Sequence, residues 1–292
     1  MTGPPGTPLP PAAGLGRPPT RRQLAERRLR RRSILIASVS TVVVFGGLAV
    51  LVATSPGWPD VRRSFFDGER YQASFGDIAR AFGLNVKIFM IAEAFILVLS
   101  LLVALARSSR TPVLFPVRVL TAVYVDLFRG VPVLLVILLL GFGMPALRLE
   151  GVPNDPVFWA IVALVLSYSA YVSEVFRAGI DSVHESQRAS ARSLGLTSAQ
   201  TMRYVVLPQG VRRVVPPLLN DFIALQKETA LVSVIGPIEA ARRAQIIASK
   251  NFNFTSYLVA ATIFLAITIP LTRLTDWLVL RQQRRTGARS QA

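Results

Sequence analysis

The apolar positions of this 292-residue chain fall into six stretches: Ser33 to Thr54, Asn85 to Ala106, Gly130 to Phe142, Val157 to Tyr171 and beyond, Val214 to Ile235, and Tyr257 to Leu280. A helix needs about 20 mostly apolar residues to cross a bilayer, and it must satisfy its own backbone there because lipid offers no hydrogen bonds. The pattern predicts an all-α membrane protein with about six transmembrane helices. Pro112 to Phe142 is too long for one straight span. Gly130-Val131-Pro132 is expected to break it, leaving an amphipathic piece over 112–128 at the interface. Between the fourth and fifth stretches lies a polar insert, Asp181 to Gln209. Ser182 with Glu185, and Thr197 with Gln200, have the spacing of capping boxes, while Gly195 stands where a helix would end in a left-handed residue. Two short capped helices are predicted, the second ended by Pro208.

Composition agrees with a membrane protein: 52% of residues are hydrophobic and the mean hydropathy is +0.48. The net charge of +17 is placed to set topology. Twenty-one of the 33 basic residues fall in the segment before Ser33, in 107–118, in 177–213 and after Leu280. Cytoplasmic loops are rich in Arg and Lys, so both termini and the polar insert are expected in the cytoplasm. Residues 1–20 hold seven prolines and four glycines and cannot bury a core. Arg21 to Arg32 adds seven arginines before 22 residues without a charge, a stretch too long for the apolar core of a signal peptide. The organisation expected is a disordered basic tail over 1–32, an extra helix over 33–54, an extracytoplasmic loop over 55–82, a transmembrane domain over 83–280 that carries the insert 181–209, and a short tail over 281–292. No internal repeat is evident. The absence of cysteine excludes disulfides and thiolate chemistry, and the single histidine, His184, cannot build a metal site alone and reads as a solvated helix residue.

An ionisable residue inside a span costs roughly 2.5 to 3.5 kcal/mol to insert, so it should face the bundle interior or a wet path. Glu93, Glu174, Arg177, Asp221, Lys227 and Glu228 are such residues, with Asn220 beside them. Asn220 and Lys227 are seven apart and share a helix face, and Asp221 with Glu228 repeats that spacing on the adjacent strip. Glu174, Asn220, Lys227 and Glu228 are candidates to line a path for a small zwitterionic or charged solute. The competing reading is interhelical pairing that fixes the bundle, which suits Glu93 and Asp221 better, and a local pair for Glu174 with Arg177. The chain has no phosphate loop of the G-x-x-x-x-G-K-[ST] form, no H-E-x-x-H and no G-x-S-x-G. It is not expected to be an enzyme, and an energy source would have to come from a partner.

The run Ala191 to Thr197 (ARSLGLT), then Gln200 and Arg203 to Gln209 (RYVVLPQ), resembles the EAA loop of binding-protein-dependent ABC importer permeases of the polar amino acid branch. Tyr124 to Pro132 (YVDLFRGVP), Ala170 to Ile180 (AYVSEVFRAGI), Pro216 to Gly236 (PPLLNDFIALQKETALVSVIG) and Ala244 to Ser249 (AQIIAS) agree with that branch, in order, over roughly 83–277. The resemblance implies a type I importer permease with a five-helix core, preceded here by one extra N-terminal helix, in the bacterial cytoplasmic membrane. It also implies that the insert is a coupling helix docking on a cytoplasmic ATPase, with Glu185, Ala189, Ser190, Ala191, Arg192 and Gly195 at the contact. The motif of the family begins Glu-Ala-Ala where this chain has Ala189-Ser190-Ala191, so the first carboxylate is missing, and Glu185 one turn earlier is its candidate substitute. Further implications are an extracytoplasmic solute-binding protein, a second permease chain, and a cargo such as glutamate, glutamine or a basic amino acid. ATP and Mg would be bound by the ATPase, with no cofactor on this chain. The alternative is a secondary transporter or channel that uses its intramembrane carboxylates.

Overall fold

The computed structural model describes residues 21–109 and 111–289, with side chains over 32–109 and 111–281. All regular structure among these residues is helical. The chain divides at residue 61 into two compact units. The first contains α1 (Arg21–Ala53). Residues 1–20, where the disordered tail was expected, lie outside the described residues, but Arg21 to Arg32, assigned to the same tail, is the leading part of this helix. Val42, Phe45 and Leu51 are exposed on it, as suits a helix whose solvent is lipid.

The second unit begins with the end of α2 (Trp58–Phe65) and continues through α3 (Gly68–Ser108), so the expected loop over 55–82 is helical. Asp67 starts α3 by accepting hydrogen bonds from the Glu69 and Arg70 N–H groups, each 3.1 Å. With 41 residues, α3 is about 60 Å long, twice the hydrocarbon thickness, and only its second half coincides with the span expected over 85–106. Next come α4 (Phe115–Gly130) and α5 (Val133–Ala146), separated by the Val131-Pro132 break and bent by 102°. The break falls where the Gly-Val-Pro triplet predicts it. Asp155 caps α6 (Pro156–Asp181), whose first residue is a proline and so forfeits no intrahelical bond. After the insert come α9 (Leu207–Glu228), a 3₁₀ turn (Thr229–Ile235), α10 (Ala240–Asn251) and α11 (Thr255–Arg289), which carries the expected tail as helix up to Arg289.

Six spans are not reached among the described residues. Four helices are long and apolar enough to cross, five if the bent pair α4 and α5 counts as one. The stretch 214–235 fails because α9 carries Asn220, Asp221, Lys227 and Glu228 and passes into the 3₁₀ turn after Glu228.

One apolar core joins α3, α5, α6 and α9 through Ile88, Ile96, Ile137, Leu164 and Leu225, all fully buried. A second, at the end of the bundle where α3 begins, packs Ile78 and Phe82 against Ala240 and Ala244 of α10 and Val259 of α11. A buried polar knot lies close to it. Asn85 donates to Thr229 Oγ1 at 3.1 Å and to Glu239 Oε2 at 2.9 Å, and its own oxygen accepts from the Ala240 N–H at 3.1 Å. Glu239 also caps α10 through the Ala241 and Arg242 N–H groups. Burial pushes the Glu239 carboxyl above the ordinary glutamate range, while these donors favour its charge and pull it back.

At the opposite end, α6 and α9 cross at Gly179 and Gly210. A methyl group at 179 would overlap Val214 Cγ2 and lie 3.2 Å from the Gly210 carbonyl oxygen. Only hydrogen fits there, and the two backbones approach as small residues allow in membrane helices. Gly179→Ala is expected to lower stability by about 1 to 3 kcal/mol through overpacking. Gly210→Ala, whose methyl would meet nothing closer than 3.2 Å, should cost less. Thermal unfolding of the two detergent-purified variants would check the order.

Candidate functional site

The insert holds two of the features predicted from its sequence and corrects two others. Helix α7 (Glu185–Ser193) ends in a Schellman motif: Gly195 has φ +84°, its N–H reaches the Arg192 carbonyl at 2.9 Å, and the Leu196 N–H reaches the Ala191 carbonyl at 3.2 Å. The short α8 (Ser198–Thr201) opens with the Thr197–Gln200 capping box, both arms present at 3.2 and 2.8 Å. The box expected at Ser182 is absent. Because α6 runs to Asp181, Ser182 closes that helix by donating to the Gly179 carbonyl, and the cap of α7 is His184, whose Nδ1 accepts from the Ser186 N–H at 3.2 Å. Pro208 does not end the second helix either. A π turn over Met202–Val206 carries α8 into α9, and the wider turn accommodates a residue with no N–H to give. Gln209 Nε2 satisfies the Val205 carbonyl at 3.1 Å.

Two arginines pin this segment to the helices on either side. Arg188 donates to the carbonyls of Val183, at 3.3 Å, and Ile180, while Arg213 of α9 donates to the Ser182 carbonyl. Ile180, Val183 and Val206 close an apolar cluster beneath it. Of the residues assigned to coupling, Ala191 is buried inward, whereas Glu185, Ala189, Ser190, Arg192 and Gly195 are exposed. Glu185 is paired with Arg192 at 3.2 Å, and the outward position 189 carries only a methyl group.

The polar residues of α6 and α9 meet above this segment. A cavity of about 490 Å³ is lined by Arg129, Tyr171, Glu174, Arg213, Pro217 and Asp221, among others. Glu174 is thus on a cavity wall and paired as well: it accepts from Arg107 of α3 and from Arg177 Nη2 at 2.6 Å and Nε at 3.2 Å, and Arg177 continues to Asp181 at 3.2 Å. Sequence spacing shows the Arg177 partner. It cannot show Arg107, 67 residues away. Asn220 and Lys227 share the exposed face of α9, and Asp221 and Glu228 the half-buried one, as the seven-residue spacing predicts. One oxygen of Asp221, Oδ2, and one of Glu228, Oε2, are buried without hydrogen-bond partners among the described residues. Sequence reasoning missed Asn85, Thr229 and Glu239. Only an acidic residue immediately before Ala240 hinted at the α10 cap.

The family model for the "binding-protein-dependent transport system inner membrane component" matches residues 96–287. The chain belongs to this family. The permease is 33% identical over 211 residues to the probable amino-acid permease protein YxeN of Bacillus subtilis (strain 168), covering 72% of this chain and 93% of that one. It is 34% identical over 218 residues to the L-cystine transport system permease protein TcyB of the same organism, covering 74% and 87%. Among solved structures it is similar to an amino acid ABC transporter crystallised with histidines, at 32% identity and a TM-score of 0.65, covering 74% of this chain and 98% of that one. Inward-facing chains of the MetNI methionine transporter share the fold, with 14% identity and a TM-score of 0.56 over 70% of this chain. The permease is therefore a multi-pass membrane component of an amino-acid ABC importer, and it acts in transport and not as an enzyme. That membership decides between the ABC permease and the secondary transporter or channel in favour of the first.

Arg107→Ala would leave Glu174 with Arg177 alone in a site where both original partners are 18% exposed. A loss of about 1.5 to 3 kcal/mol is expected for one charged hydrogen bond. Arg107→Lys should recover only part of it, because a point charge replaces a planar fork. Denaturation midpoints of the two variants test this.

Proposed function

We propose that the permease carries a polar amino acid inward by alternating access, driven by ATP hydrolysis on cytoplasmic ATPase subunits that bind the nucleotide and Mg. An extracytoplasmic binding protein delivers the solute to the end of the bundle formed by α10 and the start of α3. Two permease chains, identical or related, frame the path, and both termini lie in the cytoplasm.

The observation that carries this reading is mechanical. Arg188 of the capped α7 is tied to the end of α6, and Arg213 of α9 is tied to the Ser182 carbonyl at that same end, so the start of the insert is held to the two helices whose next turns line the cavity of Glu174 and Asp221. A push on α7 cannot be absorbed in the loop, because the Schellman turn and the capping box leave little slack, so it rotates both cavity walls about the Gly179–Gly210 crossing. Ala189, Ser190 and Gly195 meet the ATPase, with Arg192 and Glu185 at the edge of the contact. Of the candidate path residues, Glu174 lines this cavity, while Glu228 on the half-buried strip of α9 and Asn220 and Lys227 on its exposed strip meet the solute elsewhere along its path. Glutamate, glutamine and basic amino acids are the cargoes to test first.

Gly195→Val should uncouple the machine, since a β-branched residue resists the left-handed backbone that φ +84° requires. In proteoliposomes with the ATPase and binding protein, hydrolysis should persist while uptake falls about tenfold or more. Undiminished uptake would count against the lever, and uptake driven by an ion gradient without the ATPase would count against the whole reading. Lys227→Ala should raise the KM for solute or change the order of competing amino acids. A fall in abundance alone would make Lys227 a packing residue.

A further inference from the structure

Arg129 closes the last turn of α4. Counted as one bent span, α4 and α5 place it in the interior of that span and not at an end. A guanidinium there is costly unless it is paired or faces a wet path. Among the described residues Arg129 makes no ion pair, and its guanidinium carbon lies 5.8 Å from the centre of the Tyr171 ring, whose face attracts a cation without neutralising it. The same tyrosine holds the backbone: its hydroxyl donates at 3.2 Å to the Arg129 carbonyl, one of those that a helix end leaves without an intrahelical partner. Both side chains are exposed and line the cavity of about 490 Å³ between α6 and α9. Other charges of that cavity are already engaged. Glu174 accepts from Arg107 and Arg177, and Arg213 donates to the Ser182 carbonyl. Arg129 and Asp221 remain, one cation and one carboxylate with no ion pair among the described residues.

We infer, on the basis of the solute path proposed above, that Arg129 receives the α-carboxylate of the amino acid in transit and that Tyr171 is its positioning residue. A planar guanidinium presents parallel N–H donors that match the two oxygens of a carboxylate, a geometry that the point charge of Lys227 cannot reproduce. An α-amino acid carries its ammonium on the carbon next to the carboxylate, and Asp221, in the same cavity, is the counter-charge left for it. Neither contact involves the side chain of the solute. Arg129 therefore selects for α-amino acids as a class and leaves the choice among them to other residues. Tyr171 fixes the arginine at both its carbonyl and its guanidinium, so little freedom is lost when the carboxylate arrives.

The full-length chain, purified in detergent with its ATPase subunits and without the binding protein, is titrated with L-glutamate, L-glutamine and L-arginine while the thermal midpoint is followed. Each is compared with a counterpart that lacks the α-carboxylate: isoglutamine, 4-aminobutanamide and agmatine. At least one amino acid should give a saturable rise, with an apparent affinity about tenfold or more above that of its counterpart. Arg129→Gln should erase this preference by weakening the amino acid and sparing the counterpart, and Arg129→Lys should restore part of it. Tyr171→Phe, which keeps the ring and removes the hydroxyl, should reduce the preference less than Arg129→Gln does. A residue that only supports the break would lower the midpoint of the ligand-free protein and leave the preference intact. Binding of an amino acid with its preference over the counterpart unchanged in both Arg129→Gln and Arg129→Lys, or absent from the unaltered chain, would overturn the role of Arg129 alone. No saturable rise with any of the three amino acids would count against the proposed cargo class as well.

Discussion

The close approach of α6 and α9 at Gly179 and Gly210 is the constraint on which the functional parts of this permease depend. Two helices entering and leaving the same insert could diverge immediately. Here two glycines bring the backbones together, so that the coupling segment hangs from a crossing with almost no side-chain bulk. Arg188 and Arg213 then bind the carbonyls that helix ends leave unsatisfied, and one set of contacts both completes the helices and fastens the insert. Below the crossing is the exposed face of α7. Above it is the cavity walled by Glu174, Arg213 and Asp221.

The two ends of the bundle solve the problem of buried polarity differently. Around Asn85, Thr229 and Glu239 the visible donors and acceptors are matched, and α10 is held to α3 by a network that tolerates little change. Along α9, Asp221 and Glu228 keep unmatched oxygens, a state that membrane interiors penalise and that proteins retain where a ligand or water is to enter. The contrast separates a closed polar knot from carboxylates that keep open oxygens.

Much of this was legible in the sequence where a local rule applies. The break at Val131-Pro132, the left-handed Gly195, the Thr197–Gln200 box and the division of α9 into two polar strips each follow from one residue's stereochemistry or from the helical period. The misreadings arose where distant contacts compete with local ones. Ser182 has the spacing of a cap, but packing of Ile180 and Val183 carries α6 up to it, so Ser182 closes that helix and His184 starts α7. Glu174 reads as a lining residue or a local partner of Arg177; it lies on a cavity wall and is paired with Arg177, with Arg107 added from another helix. Hydropathy also promised a sixth span at 214–235. There α9 carries Asn220, Asp221, Lys227 and Glu228 and gives way to a 3₁₀ turn after Glu228, a change of backbone that composition alone does not reveal.

The π turn before Pro208 has a consequence for phase. A regular α-helix from Ser198 to Glu228 would lock the insert and the span into one angular register, about 100° for every residue gained or lost. A five-residue turn takes up one extra residue, so α9 is rotated by about 100° from the phase that a continuous helix from α8 would give it. Asp221 and Glu228 therefore point one residue's rotation away from where an unbroken helix starting at Ser198 would aim them.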